Sequence, residues 1–136
     1  MLLVEVKRSR QTSELWAAQF RRNLLAHGTL PGAPFFLIAT PDSMYFWRQD
    51  DSVPEDDPPR FTLDAAGELR PYFERFNQTR EKVSEQSLVL ILFYWLVDLA
   101  GPRLTRAKED PSLRWLSESG LLDALASSHI EMSAAQ

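Results

Sequence analysis

An α/β fold with a mixed β-sheet and flanking helices is predicted by three features of the sequence. Leu2–Lys7 and Phe35–Ala39 are apolar runs of strand length. Between them, Glu14–His27 places apolar residues at helical spacing. A strand, a helix and a second strand in that order require a crossover, and hence a parallel pair.

Each element has its own sequence logic. Leu2-Leu3-Val4-Glu5-Val6-Lys7 is apolar apart from one charged pair. Arg8-Ser9-Arg10-Gln11 forms a polar turn, and Thr12 or Ser13 can cap the following helix. In that helix Trp16, Phe20 and Leu24 form one stripe, widened by Ala17 and Leu25, with Arg21 and Arg22 expected to point outward. His27 and Gly28 supply a stop. Phe35-Phe36-Leu37-Ile38-Ala39 is wholly apolar, as expected of a strand buried on both faces. Thr40-Pro41-Asp42-Ser43 reads as a turn, and Met44–Arg48 as a strand folding back in a hairpin.

The later segments read less sharply. Asp50–Arg60 (DDSVPEDDPPR) is an acidic loop broken by prolines, with no calcium-loop spacing. Phe61-Thr62-Leu63 predicts a short edge strand, and Leu69–Phe76 a helix with Pro71 in its first turn. Ser84 opens a helix to about Ala100, stopped by Gly101-Pro102 and apolar nearly all round, which places it against the sheet or at a subunit contact. Asp110-Pro111 opens a last helix, broken at Gly120, with a frayed tail after Ser127. The division expected is a partial α/β unit over 1–100 and a helical extension over 101–136 packed on it.

Composition narrows the function classes. The chain has 136 residues, 44% of them hydrophobic and 25% charged, ordinary values for one folded domain. With no cysteine, disulfides and thiolate metal sites are excluded. No basic segment followed by an apolar run is present at the start, and Leu88–Val97 is too short to span a bilayer. The expectation is a cytoplasmic protein without a membrane partner. Net charge is −4, but residues 1–48 carry +3 and the remainder −7, an asymmetry suited to a polyanion-facing surface.

The charged pair in the first strand carries the chemistry. Alternation puts Glu5 and Lys7 on one face, roughly 7 Å apart. A carboxylate there can hold Mg²⁺, and a neighbouring ammonium can orient water or offset phosphate charge. An E-x-K strand, a basic turn, an amphipathic helix, a buried parallel strand and a hairpin strand together resemble the second half of the PD-(D/E)XK nuclease superfamily, the restriction-endonuclease-like fold. The resemblance spans residues 2 to about 48. It implies a Mg²⁺-dependent DNA nuclease in which Glu5 ligates the metal, the Val6 carbonyl helps, and Lys7 assists the attacking water. Gln19 is similar to the glutamine of a Q-x-x-x-Y motif in the exonuclease-like branch, with Asn23 at the tyrosine position.

The same resemblance implies an incomplete site. The family's earlier strands and metal-binding Asp would precede residue 2, so the expectation is a truncated or degenerate chain, inactive as given. It also places residues 2–7 at a sheet edge, open to a second copy or to a partner chain supplying the missing strands. Pro41-Asp42 has the right dipeptide in the wrong place and reads as turn chemistry. Arg8, Arg10, Arg21 and Arg22 form the candidate DNA-binding face. Tyr45, Phe46 and Trp47 alternate on a hairpin strand that leaves room for one exposed ring, and Phe93-Tyr94-Trp95 are expected in the core. His27 and His129 lack metal-ligand spacing. The competing class is a non-catalytic interaction module, homodimeric through the edge strand or helix 84–100.

Overall fold

The computed structural model describes residues 2–26, 34–48, 57–127 and 130–134. The period-2 pattern of the first run forms β1 (Leu2–Val6), and the helical stripe forms α1 (Glu14–Ala26). β2 (Phe35–Ala39) follows, then β3 (Ser43–Arg48) and β4 (Phe61–Asp64). β1 and β2 pair in parallel, with Leu2 opposite Phe35 and Val6 opposite Ala39; β3 and β4 add antiparallel. The turn between β2 and β3 is closed by Thr40, whose hydroxyl accepts from the amides of Asp42 (3.2 Å) and Ser43 (3.0 Å). The mixed sheet and its flanking helices match the class read from sequence.

One neighbour was not foreseen. β5 (Ile130–Ala134) lies parallel to β1 on the side away from β2, pairing Leu2 with Ile130 and Val6 with Ala134. The strand order is β4-β3-β2-β1-β5. β1 is therefore interior, which corrects the expectation of an open edge, and residues 130–134 are a strand rather than a frayed end. The physical reason is that a central apolar strand leaves an unpaired ladder on its free side, and an extended segment of the same chain satisfies it.

Alternation along the central strands builds two cores. Leu2, Val4, Val6, Phe35, Leu37, Ala39, Met44 and Phe46 face a layer of helices, and Leu3, Phe36, Ile38, Tyr45 and Trp47 face α1. The larger layer comprises α2 (Ala65–Glu68), α3 (Arg70–Arg75), α4 (Glu85–Ala100), α5 (Leu104–Glu109), α6 (Arg114–Glu118) and α7 (Leu121–Ser127). Ser84 caps α4, its hydroxyl accepting from the Ser87 amide at 3.1 Å. Leu88, Leu92, Trp95, Leu96 and Leu99 then turn inward.

Two boundaries differ from expectation for local reasons. The last helix is divided into a 3₁₀ turn at Pro111–Leu113, then α6 and α7, because Gly120 takes φ +88° between them. All three aromatics of β3 are buried, since the strand is covered on both faces, which leaves no ring exposed there. The acidic stretch 50–56 and both histidines lie outside the described residues. Among the described residues no helix is long and apolar enough to cross a membrane.

Leu37 lies fully buried in the larger core and Leu15 is 69% exposed on α1. Leu37→Ala is expected to lower unfolding stability by ~2–5 kcal/mol in urea titration, whereas Leu15→Ala should stay within ~0.5 kcal/mol. Equal losses for the two variants would contradict this partition of the core.

Candidate functional site

Because Leu3 faces α1, alternation puts Glu5 and Lys7 on the same side, above the smaller core. Both are half-buried. Glu5 stands opposite Ile38, which in turn stands opposite Tyr45, so the carboxylate begins a row that crosses the sheet. Lys7 continues the ladder past β1, its amide donating to the Ala39 carbonyl at 2.9 Å. Its ammonium lies 5.4 Å from the centre of the Phe20 ring, a cation–π arrangement.

Phe20 belongs to an aromatic shelf that α1 lays over this end of the sheet. Trp16 stacks on Phe20 at 5.5 Å and meets Tyr45 at 6.2 Å. The Tyr45 and Thr12 hydroxyls share a hydrogen bond of 2.6 Å, tying the start of α1 to β3. Trp16 and Phe20 were legible in sequence as the apolar stripe of a helix; their role as a wall beside Lys7 was not. Gln19 sits on the exposed side of α1.

The four arginines divide three ways. Arg8 and Arg22 are exposed. Arg10 is committed to Asp42, with Nε 2.7 Å from Oδ2, and Arg80 approaches the other carboxylate oxygen at 3.5 Å. The Gln11 amide also donates to Asp42 at 3.4 Å, and Gln11 adopts φ 55° in the turn leaving β1. Asp42, seated in the β2–β3 turn, thus fastens the turn leaving β1. Arg21 corrects the sequence expectation: only 2% exposed, it lies with its guanidinium 5.6 Å from the Trp47 ring centre instead of pointing outward. The helix turns it toward β3, where the indole face accepts a weakly hydrated cation.

Among the described residues no group of three or more His, Cys, Asp or Glu side chains converges. Glu5 would offer one carboxylate and leave the rest of the octahedron to water and substrate. Asp42 is engaged by two arginines.

A second polar cluster lies on the other face and gave no sequence signal, because its members are spread from residue 68 to residue 103. Glu68 Oε1 accepts from Trp95 Nε1 (3.0 Å) and from Arg103 (3.2 Å). The Tyr72 hydroxyl donates to Asp98 at 2.6 Å and accepts from Arg103 at 3.3 Å. Glu68, Tyr72, Asp98 and Arg103 line a cavity of about 360 Å³ together with Gly67, Pro71 and Arg75. Burial raises the Tyr72 pKa above the usual phenol value and the Asp98 hydrogen bond adds to it, with Arg103 offsetting only part. Burial alone would lower Arg103, but the Tyr72 hydroxyl and Glu68 outweigh it and hold the guanidinium charged. Donors and acceptors match within the cluster, so it locks α2, α3, α4 and the start of α5 together.

Comparison with protein-family models, with curated proteins and with solved structures returns no match.

A raised folded-state pKa means that the native state keeps the Tyr72 proton where the unfolded chain begins to lose it. That stability is complete below about pH 10 and is lost as pH climbs through the raised value. Tyr72→Phe is expected to cost ~1 kcal/mol at neutral pH and to flatten the alkaline decline, read from urea midpoints on either side of about pH 10. An alkaline decline as steep as the wild type's would remove Tyr72 as its source.

Proposed function

We propose that this chain is a degenerate relative of Mg²⁺-dependent DNA nucleases, one that keeps the acid–amine pair of the signature strand without assembling a metal site. The observation that carries the reading is the placement of Glu5 and Lys7 on one face of a central parallel strand, at the end where the chain turns into a basic segment. The same strand is followed by a crossover helix and a buried parallel partner, in the order that the nuclease resemblance implies.

What such a surface does chemically is bind. The Lys7 ammonium, oriented by the Phe20 ring, presents a positive charge close to the strand end. Arg8 and Arg22 add exposed guanidinium groups in the same stretch of chain. A phosphodiester backbone is the anion this arrangement suits, at low affinity and with strong salt dependence, since few charges take part. Glu5 beside Lys7 opposes indiscriminate anion binding. Among the described residues no cluster of three acid, His or Cys side chains accompanies Glu5, so the reading is one of binding rather than hydrolysis.

The test is binding of a labelled DNA duplex followed by fluorescence anisotropy across a salt series. The double variant Lys7→Ala/Arg8→Ala should reduce the magnitude of the log–log salt slope by about 2, and Arg106→Ala, on α5 in the opposite layer, should leave it unchanged. A slope indifferent to Lys7 and Arg8 would overturn the assignment of this surface to DNA. So would Mg²⁺-dependent cleavage that is lost on Glu5→Gln or Lys7→Ala, since it would put a working metal site on this strand.

A further inference from the structure

Among the described residues, the exposed large apolar side chains are Leu15 on α1 and four on α4: Leu90 (46%), Phe93 (45%), Tyr94 (40%) and Val97 (42%). The four follow i, i+3, i+4, i+7, the spacing of a single helical stripe. The opposite side of the same helix is the buried one, with Leu88, Ile91, Leu92, Trp95 and Leu96 in the core. Phe93 and Tyr94 were expected inside; the helix has more apolar surface than one sheet can cover. We propose that this stripe is the contact between two copies of the chain, packed α4 against α4 across a two-fold axis.

The charges favour this occupant. From Gln86 to Val97 the helix carries no Asp, Glu, Lys or Arg, and Glu85 and Asp98 bound the interval. A nucleic acid or an anionic membrane would meet acids at both ends, and the cation near Asp98, Arg103, is engaged by Glu68 and Tyr72. An acidic or a basic peptide would find no complementary charge along the stripe. An equally neutral stripe fits, and the chain itself provides one. With the axis between Phe93 and Tyr94, antiparallel helices bring Leu90 of one copy to Val97 of the other, and Phe93 to Tyr94. Glu85 of one copy then falls near Pro102 of the other, and Asp98 near Val89, so no acid opposes an acid. The pattern is self-complementary, as an isologous contact requires.

Area sets the strength. The four side chains leave on the order of 350 Å² of apolar surface exposed per copy. Pairing removes about 700 Å² of it in total, and the flanking Gln86, Val89 and Gly101 bring the contact to the low end of specific interfaces. The association is therefore weak and concentration-dependent, and Phe76, whose ring meets Tyr94 at 5.2 Å, props the aromatic edge in place.

Sedimentation equilibrium of the full chain is expected to give a monomer–dimer isotherm in the micromolar range, with Leu90→Glu weakening dimerisation by about tenfold or more. Leu15→Glu, at a more exposed position on α1, should leave it unchanged. Since the chain has no cysteine, Phe93→Cys reports a single position, and a short bismaleimide should join two copies through it and fail with Leu15→Cys. Both glutamate variants change exposed positions, and a native circular dichroism spectrum for each confirms folding. A wild type that stays monomeric through the micromolar range overturns the proposal. A dimer indifferent to Leu90→Glu overturns it as well, as does cross-linking at Leu15→Cys equal to that at Phe93→Cys.

Discussion

Everything in this molecule depends on β1 having a strand on each side and a core on each face. Backbone groups of Leu2–Val6 are shared with β2 and with β5, so none of that ladder is left to solvent. Its even-numbered residues enter the larger core beneath six helices, and Leu3 enters the smaller core under α1. A slip of one residue would send Val4 and Val6 to the α1 side and drive Glu5 into the apolar layer, where an unpaired carboxylate is far more costly than any gain. The register is thereby set, and with it the side on which Glu5 and Lys7 emerge.

That placement explains why the pair belongs to a surface and not to a core. The smaller core is made by Leu3, Ala17, Phe36, Ile38, Tyr45 and Trp47, with Trp16, Phe20 and Leu24 at its margin. It gives out toward the end of β1, and the two charged side chains occupy that margin, half-buried. Lys7 uses an aromatic face as its neighbour, a compromise between packing its stem and keeping its head hydrated. Arg21 makes a different compromise a short way along α1. It is drawn fully inward over Trp47, and its charge is removed from the exterior where a phosphate would meet it. Asp42, drawn between Arg10 and Arg80, likewise serves the shape of the turn.

How much of this was legible in the sequence follows from the range of each interaction. Phe35–Ala39 is five apolar residues in a row and could only be a strand covered on both faces. The crossover and the hairpin followed from chain order alone. Glu5 and Lys7 on one face followed from period 2. What stayed hidden depends on contacts between distant residues. Ile130–Ala134 has no strong pattern of its own, and it is a strand because β1 offers it an unpaired ladder. Arg21 sits in an interval of α1 whose side facing β3 is decided by the tilt of the helix on the sheet. Phe93 and Tyr94 were misplaced because a helix apolar all round does not reveal which side the sheet leaves uncovered. The Glu68–Tyr72–Asp98–Arg103 network joins residues whose spacing matches no local motif, and only the packing of α2, α3 and α4 brings them within hydrogen-bonding distance.

The central claim, an interior β1 paired on both sides, is tested most directly by native-state hydrogen exchange read residue by residue with NMR. The amides of residues 3–6 are expected to exchange only through global unfolding, as slowly as those of Leu37 and Phe46 in the neighbouring strands. Fast exchange along β1, with β2 and β3 still protected, would mean that one side of the strand is open. The pairing of β1 with β5, and with it the interior place of β1 in the sheet, would then have to be abandoned.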